Sequence, residues 1–378
     1  MIYFDNAATT KCCEKAINAY VESFKTFGNT ETKYKLGLSA KKLVGQSKKV
    51  ISDVLNVSEE NIIFTSGGSE SNSFAILGCA KANPLKKTII TSKFEHSSII
   101  NACESLKKEG YNIIYLEPNN DGIISPEALI DKINDDVFLV SIMMVNNEIG
   151  TIQPIKKLVS IAHKYGALFH SDAVQCTGHL KIDFQELDLD FMSASAHKFY
   201  GPKGIGLLLC KNKLNIENII FGGNQQGGLR PGTEDTQSIY SCSKALEFVN
   251  ENREKHYIYI NELKEYLISL LRENDIVYKV NSINNYPFII NVCLKNIQNE
   301  GLVNYMDLND ICISYGSACN TGILKPSHVL KSIGLTDEEA NSSIRISFSY
   351  ENTKDEIYKF VQLLKTYISK INSMFKFD

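Results

Sequence analysis

Ile62-Ile63-Phe64-Thr65-Ser66-Gly67-Gly68-Ser69-Glu70-Ser71-Asn72 is the stretch on which the reading of the fold turns. Four residues rich in β-branched and aromatic side chains predict a strand. Two glycines follow, and then a helical pattern from Ser69 to Ala82. Outward from this joint the same alternation repeats. Thr88 to Thr91 is strand-like, and Ser97 to Glu109 places Ile99, Ile100, Cys103 and Leu106 at helical spacing. Strand-like runs recur at Ile113 to Leu116, Phe138 to Val145, Ala167 to His170 and Ile205 to Leu209. Pro154 opens another helix, with Ile155, Leu158, Val159 and Ala162 on one face and Gly166 at its end.

Strands that are apolar on both faces and alternate with helices predict an α/β fold with a mostly parallel sheet covered by helices. Ligands of such sheets bind beyond the carboxyl ends of the strands, so chemistry is sought there. After about residue 235 the texture changes. Helical patterns run over Thr236 to Asn252, His256 to Arg272 and Lys354 to Ile371, with short strands at Phe288 to Leu294, Ile311 to Ser314 and Ile344 to Phe348. This reads as a smaller α+β domain. The expected division is a large domain over 15–250 and a small one from 1–14 and 251–378.

Composition narrows the function classes. The 378 residues carry a formal net charge of −3, so nothing electrostatic points to nucleic acid or an anionic membrane. No apolar run reaches the roughly 20 residues that span a bilayer, and no signal peptide is visible at Met1 to Asn6. A cytoplasmic location is therefore expected. The ten cysteines are scattered without a CxxC pair, which argues against a zinc or thioredoxin-like site. In a reducing compartment most are expected to be packing residues.

Four clusters carry chemistry. The glycine turn at Gly67-Gly68-Ser69 lets backbone approach an anion at a helix start, though Ser69 also serves as a plain N-cap. In Ser193-Ala194-Ser195-Ala196-His197-Lys198-Phe199-Tyr200-Gly201-Pro202-Lys203-Gly204 a lysine after a strand can form a Schiff base with an aldehyde cofactor. A solvated turn is the simpler reading. In His170-Ser171-Asp172-Ala173-Val174-Gln175 a buried acid needs a partner, which a protonated ring nitrogen or a capped turn would each provide. Ser317-Ala318-Cys319-Asn320-Thr321-Gly322 sets a thiol among small polar residues on an expected loop, as a reactive cysteine requires.

The order and spacing of these clusters resemble those of the cysteine desulfurases, a branch of the class V aminotransferase-fold enzymes. The resemblance runs from Tyr3-Phe4-Asp5-Asn6-Ala7-Ala8-Thr9-Thr10 to Ser342-Ser343-Ile344-Arg345, and SAHKFYGPKG together with GSAC makes it specific. It implies a pyridoxal 5'-phosphate (PLP) enzyme of the aspartate aminotransferase-like fold type I. Such an enzyme takes sulfur from L-cysteine, leaving L-alanine and a cysteine persulfide for iron–sulfur cluster assembly or tRNA thiolation. By that resemblance Lys198 binds the cofactor aldehyde, and Gly68, Ser69, Ser195 and His197 hold its phosphate. Asp172 meets the ring nitrogen, Gln175 the ring hydroxyl, and His96 the ring face. Asn147 and Arg345 bind substrate, and Cys319 accepts the sulfur. Thr233 reaches the phosphate of a second subunit, which implies a homodimer that delivers sulfur to an acceptor protein. A selenocysteine lyase, an aminotransferase of the same fold, and a non-catalytic scaffold binding a sulfur acceptor are the rival expectations. The chain departs from the family pattern at Tyr34, Leu38, Ser349 and Tyr350, in segments that approach the family's substrate entrance.

Overall fold

The computed structural model describes residues 1–282, 286–316 and 326–374. Its centre is a seven-stranded sheet of β2 (Ile62–Thr65), β3 (Thr88–Ser92), β4 (Asn112–Leu116), β5 (Val137–Ser141), β6 (Leu168–Asp172), β7 (Phe191–Ser195) and β8 (Gly206–Cys210). The spatial order is β2-β8-β7-β6-β5-β3-β4, and only β8 runs antiparallel to its neighbours. The expected mostly parallel sheet is present. Successive side chains of a strand face opposite ways, and here both faces are covered. Ile62 and Phe64 join one apolar core while Ile63 joins the other; Leu207 and Leu209 are separated from Leu208 in the same way.

Two smaller sheets flank it. The strand β1 (Ile2–Tyr3) pairs in parallel with β11 (Ile311–Cys312), and β9 (Tyr278–Val280), β10 (Ile289–Leu294) and β12 (Ser343–Ser347) form an antiparallel trio with β10 central. Single bridges at Asp5–Ser347 and Ser314–Arg345 tie these sheets together. From there the chain crosses to the large sheet, where Thr10 N donates to the carbonyl of His197 at 2.8 Å.

Two expectations need correction, and a third holds with a local change of helix type. One unbroken helix, Thr236–Glu273, replaces the two separate patterns. Its polar middle, Glu251 to Lys255, holds neither glycine nor proline, so nothing there breaks a helix. The run Phe138 to Val145 leaves strand geometry after Ser141, where Glu95 Oε1 accepts from Met143 N at 2.9 Å. The helix from the glycine turn runs continuously through Ala82 but is π-helical over Phe74–Gly78, where the backbone bonds shift by one residue. Among the described residues no helix is long and apolar enough to cross a membrane.

Candidate active site

The carboxyl ends of β2, β3, β5, β6 and β7 converge on one cavity of about 260 Å³. Each strand delivers its residues in the few positions after it ends. From β2 come Gly68 and Ser69; from β3, His96; from β5, Asn147. The end of β6 delivers Asp172 and Gln175, while β7 supplies Ser195 and then His197 and Lys198 in a 3₁₀ turn. Arg345 of β12 completes the wall from the small sheet.

Lys198 Nζ donates to the carbonyl oxygens of Ala7 and Ala8 at 2.5 and 2.6 Å. The N-terminal crossing segment thus holds this ammonium group inside the cavity. Ala7 O also accepts from Gln175 Nε2 at 3.0 Å, fixing the amide beside the lysine. Behind the turn, His179 Nε2 donates to Lys198 O at 2.8 Å, and burial pushes the His179 pKa down to about 4.

Asp172 is 5 % exposed. Its Oδ1 accepts from Val174 N at 2.9 Å and its Oδ2 from Asn72 Nδ2 at 2.6 Å. His96 caps helix Ser97–Lys108, its ring accepting from Ser98 N. That bond makes Nδ1 the acceptor, so the neutral ring carries its proton on Nε2. Burial lowers the His96 pKa and Lys198 adds to the lowering; Asp172 opposes it.

The end of the cavity lined by Gly68 and Ser69 suits an anion of the kind the resemblance implies. A Cβ on Gly68 would lie 2.8 Å from Val174 Cγ2, so only glycine lets the backbone sit this deep. Ser69, Ser195 and His197 supply polar side chains there, with His197 Nδ1 3.1 Å from Thr9 Oγ1. Burial, with the charges of Lys198 and Lys203, brings the His197 pKa down to about 4. Beside Asp172, buried Asn72 Oδ1 has no partner among the described residues. An acid beside a lysine, an imidazole and an open anion cradle fits a phosphorylated, cationic aromatic ring.

Arg345 is 2 % exposed and forms an ion pair with Asp5. Its Nη2 donates to Asp5 Oδ1 at 2.7 Å and its Nη1 to Asn147 O at 2.8 Å. A guanidinium has five N–H donors, and Nε–H finds no partner among the described residues. The guanidinium therefore keeps donors beyond the two bonds that fix it.

Two of the proposed residues stand apart. Thr233 is exposed in the segment before helix Thr236–Glu273 and does not line the cavity. That segment is pinned to the glycine-turn helix by Arg230, whose Nε donates to Glu70 Oε1 at 2.9 Å. Cys319 lies outside the described residues. The other nine cysteines carry free thiols, all but Cys12 and Cys312 buried. Of the departures, Tyr34 and Leu38 are exposed, while the Tyr350 ring stacks on His256 at 4.5 Å, outside the cavity wall.

Sequence reasoning gave no role to Asn72, Asp5 or the carbonyls of Ala7 and Ala8. Asn72 follows the glycine turn by one helical turn, a spacing that would have found it. Asp5 and the carbonyls act across more than 180 positions of chain, and backbone oxygens leave no side-chain signal.

The sequence pattern of the family described as aminotransferase class-V matches residues 2–360. The cysteine desulfurase IscS of Clostridium botulinum (strain Kyoto / Type A2) is 38% identical over 379 aligned positions, covering 99% of this chain and 96% of that protein. The cysteine desulfurase IscS of Methanosarcina thermophila is 36% identical, covering 99% and 93%. Among solved structures, a NifS-like protein superposes with a TM-score of 0.92 at 30% identity, over 97% of this chain and 99% of its own. A structure of SspA in complex with cysteine superposes with a TM-score of 0.82 at 32% identity, over 93% and 100%. A family pattern spanning nearly the whole chain, with relatives alike over nearly their full lengths, means that the chain belongs to the class-V aminotransferase family, in its cysteine desulfurase branch.

Proposed function

We propose that this protein is a PLP-dependent cysteine desulfurase that converts L-cysteine to L-alanine and leaves the sulfur as a persulfide on Cys319. The observation that carries this reading is the convergence of Lys198, Asp172, His96 and Arg345 on one cavity. When PLP is bound, Gly68, Ser69, Ser195 and His197 would hold its phosphate, Asp172 would meet its ring nitrogen and Gln175 its ring hydroxyl, and His96 would border the ring. When bound, PLP supplies an electron sink for the pair left at the substrate's Cα.

The chain's own groups do the rest. Arg345 and Asn147 hold the substrate carboxylate, setting its Cα toward Lys198. Lys198 Nζ takes the Cα proton as general base and later returns a proton. The Cys319 sulfur, as thiolate, bonds to the substrate sulfur while the substrate's carbon–sulfur bond breaks. The electron pair of that bond stays with carbon, which is protonated to become the methyl group of alanine. Cysteine and one thiol thus give alanine and one persulfide, with no external oxidant. Exposed Thr233 is assigned to the phosphate of a second subunit, making the working unit a homodimer in the cytoplasm. A sulfur-acceptor protein, for iron–sulfur assembly or tRNA thiolation, takes the sulfur onward. The division into 15–250 and 1–14 with 251–378 places its boundary within helix Thr236–Glu273.

The test is to incubate the holoenzyme with L-cysteine and a thiol reductant, measuring alanine and sulfide together. Equal amounts from wild type, and neither from Cys319→Ala, are expected. Sulfide released undiminished by Cys319→Ala would replace this reading with a lyase that makes no persulfide. Faster turnover of L-selenocysteine would shift it to a selenocysteine lyase.

A further inference from the structure

Asp172 and His96 reach the cavity from different strands, β6 and β3, yet two side chains join them. Asn72 of the glycine-turn helix is buried and donates from Nδ2 to Asp172 Oδ2 at 2.6 Å and to Ser98 Oγ at 2.9 Å. Ser98 Oγ lies 2.7 Å from His96 Nδ1, and Ser98 N donates to the same ring nitrogen at 3.2 Å. The chain therefore runs Asp172, Asn72, Ser98, His96.

The direction of every bond in it is fixed. A carboxylate only accepts, so the Asn72 amide turns its NH2 group to Asp172. The second hydrogen of that group points to Ser98 Oγ, which accepts it and directs its own single hydrogen at His96 Nδ1. Nδ1 thus faces two donors, Ser98 N and Ser98 Oγ. A proton arriving there would meet both, and the serine hydrogen would have to turn away. Burial is the main influence against the imidazolium. The charge of Asp172 favours that cation through space, whereas the chain that starts from the same carboxylate favours the neutral ring. Of the other titratable groups around the ring, Lys198 after β7 and His328 on helix His328–Ser332 disfavour the cation, and Glu148 after β5 favours it.

We infer that Ser98 is a positioning residue which, with Asn72, carries the hydrogen-bond polarity of Asp172 to His96 and holds that imidazole neutral, with Nδ1 occupied and the proton on Nε2. Ser98 does not line the cavity, so it acts through the ring. The inference rests on the desulfurase reading, in which Lys198 is the base. An imidazole whose accepting nitrogen is already occupied leaves that role to Lys198.

The experiment titrates the His96 ring by nuclear magnetic resonance in holoenzyme carrying isotope-labelled histidine. Its signals are picked out from those of the seven histidines by their loss in His96→Gln. Wild type is compared with Ser98→Ala, which deletes the hydroxyl and keeps the backbone N–H, and with Ser98→Thr, which keeps both. Proton binding by the ring should tighten about threefold to tenfold in Ser98→Ala, the scale of one hydrogen bond, and match wild type in Ser98→Thr. The acid limb of the kcat profile for alanine release should move to higher pH by the same factor in Ser98→Ala, with the KM for L-cysteine unchanged. A ring titration unchanged in Ser98→Ala would overturn the inference, as would an equal shift in Ser98→Thr. A shifted titration that left the acid limb in place would also overturn it, since Ser98 would then have no part in the reaction. A wild type that binds L-cysteine but releases no alanine would sink the desulfurase reading itself, a distinct outcome, because the ring titration reads the chain without turnover.

Discussion

The two ends of the cavity are built by different means. The end assigned to the cofactor comes from successive strand termini of one sheet, each giving residues within a few positions of its last hydrogen bond. The end assigned to the substrate is stitched from Asp5, Asn147 and Arg345, three distant parts of the chain, with Asp5 brought to Arg345 where the N-terminal segment bridges to β12. The first follows from the direction of parallel strands; the second requires long-range closure. Damage to the first should therefore abolish chemistry, and damage to the second should weaken substrate capture.

The largest effect is expected at the first end. Lys198→Ala removes the proposed base and cofactor anchor together, so kcat should fall on the order of 10³-fold or more, with loss of the bound-cofactor absorbance. Retention of that band in the purified variant would break the assignment. At the second end, Asp5→Asn keeps shape but removes the charge beside Arg345 Nη2. A guanidinium no longer held by an opposite charge should raise the KM for L-cysteine about tenfold, worth ~1.4 kcal/mol, with kcat little changed. A fall in kcat at constant KM would mean that Arg345 serves chemistry, and the contrast between the two ends would collapse.

Legibility in the sequence divides along the same line. The glycine turn, Asp172 and Lys198 lie in contiguous stretches whose residue types permit the chemistry that the family resemblance then selects over plain caps and turns, and the parallel sheet follows from strands apolar on both faces. The grip of Ala7 and Ala8 on Lys198 was not legible, because any residue's carbonyl can accept. The burial of Arg345 was not legible either, since pairing with Asp5 depends on a strand of two residues, β1, too short to announce itself. The single long helix was hidden for the opposite reason: a polar stretch reads as a break when only apolar periodicity is followed.

Asn72 tests the first end more gently. It donates to both Asp172 Oδ2 and Ser98 Oγ, at 2.6 and 2.9 Å. Asn72→Leu should leave a buried acid short of a donor and cost about 1–3 kcal/mol of stability, seen as a lower denaturant midpoint. Loss of cofactor affinity should accompany it, while Asp5→Asn leaves that affinity unchanged.

The last test concerns pH, and it too belongs to one end. His179 lies behind Lys198, is 5 % exposed, and has its pKa brought down to about 4 by burial. Between that value and the ordinary histidine value near 6.5, the unfolded chain binds a proton that the folded chain refuses. Stability therefore falls on acidification through this window, by at most about 1.4 kcal/mol per pH unit for this one group. His179→Gln keeps a donor toward Lys198 O without a titrating ring, so its stability curve should be flatter between pH 6.5 and 4. No histidine touches Asp5 or Arg345 among the described hydrogen bonds, so Asp5→Asn should leave that slope unchanged. If the slope instead followed Asp5→Asn and ignored His179→Gln, the acid sensitivity would reside in the ion pair at the substrate end, and the neutral imidazole behind Lys198 would carry no share of it.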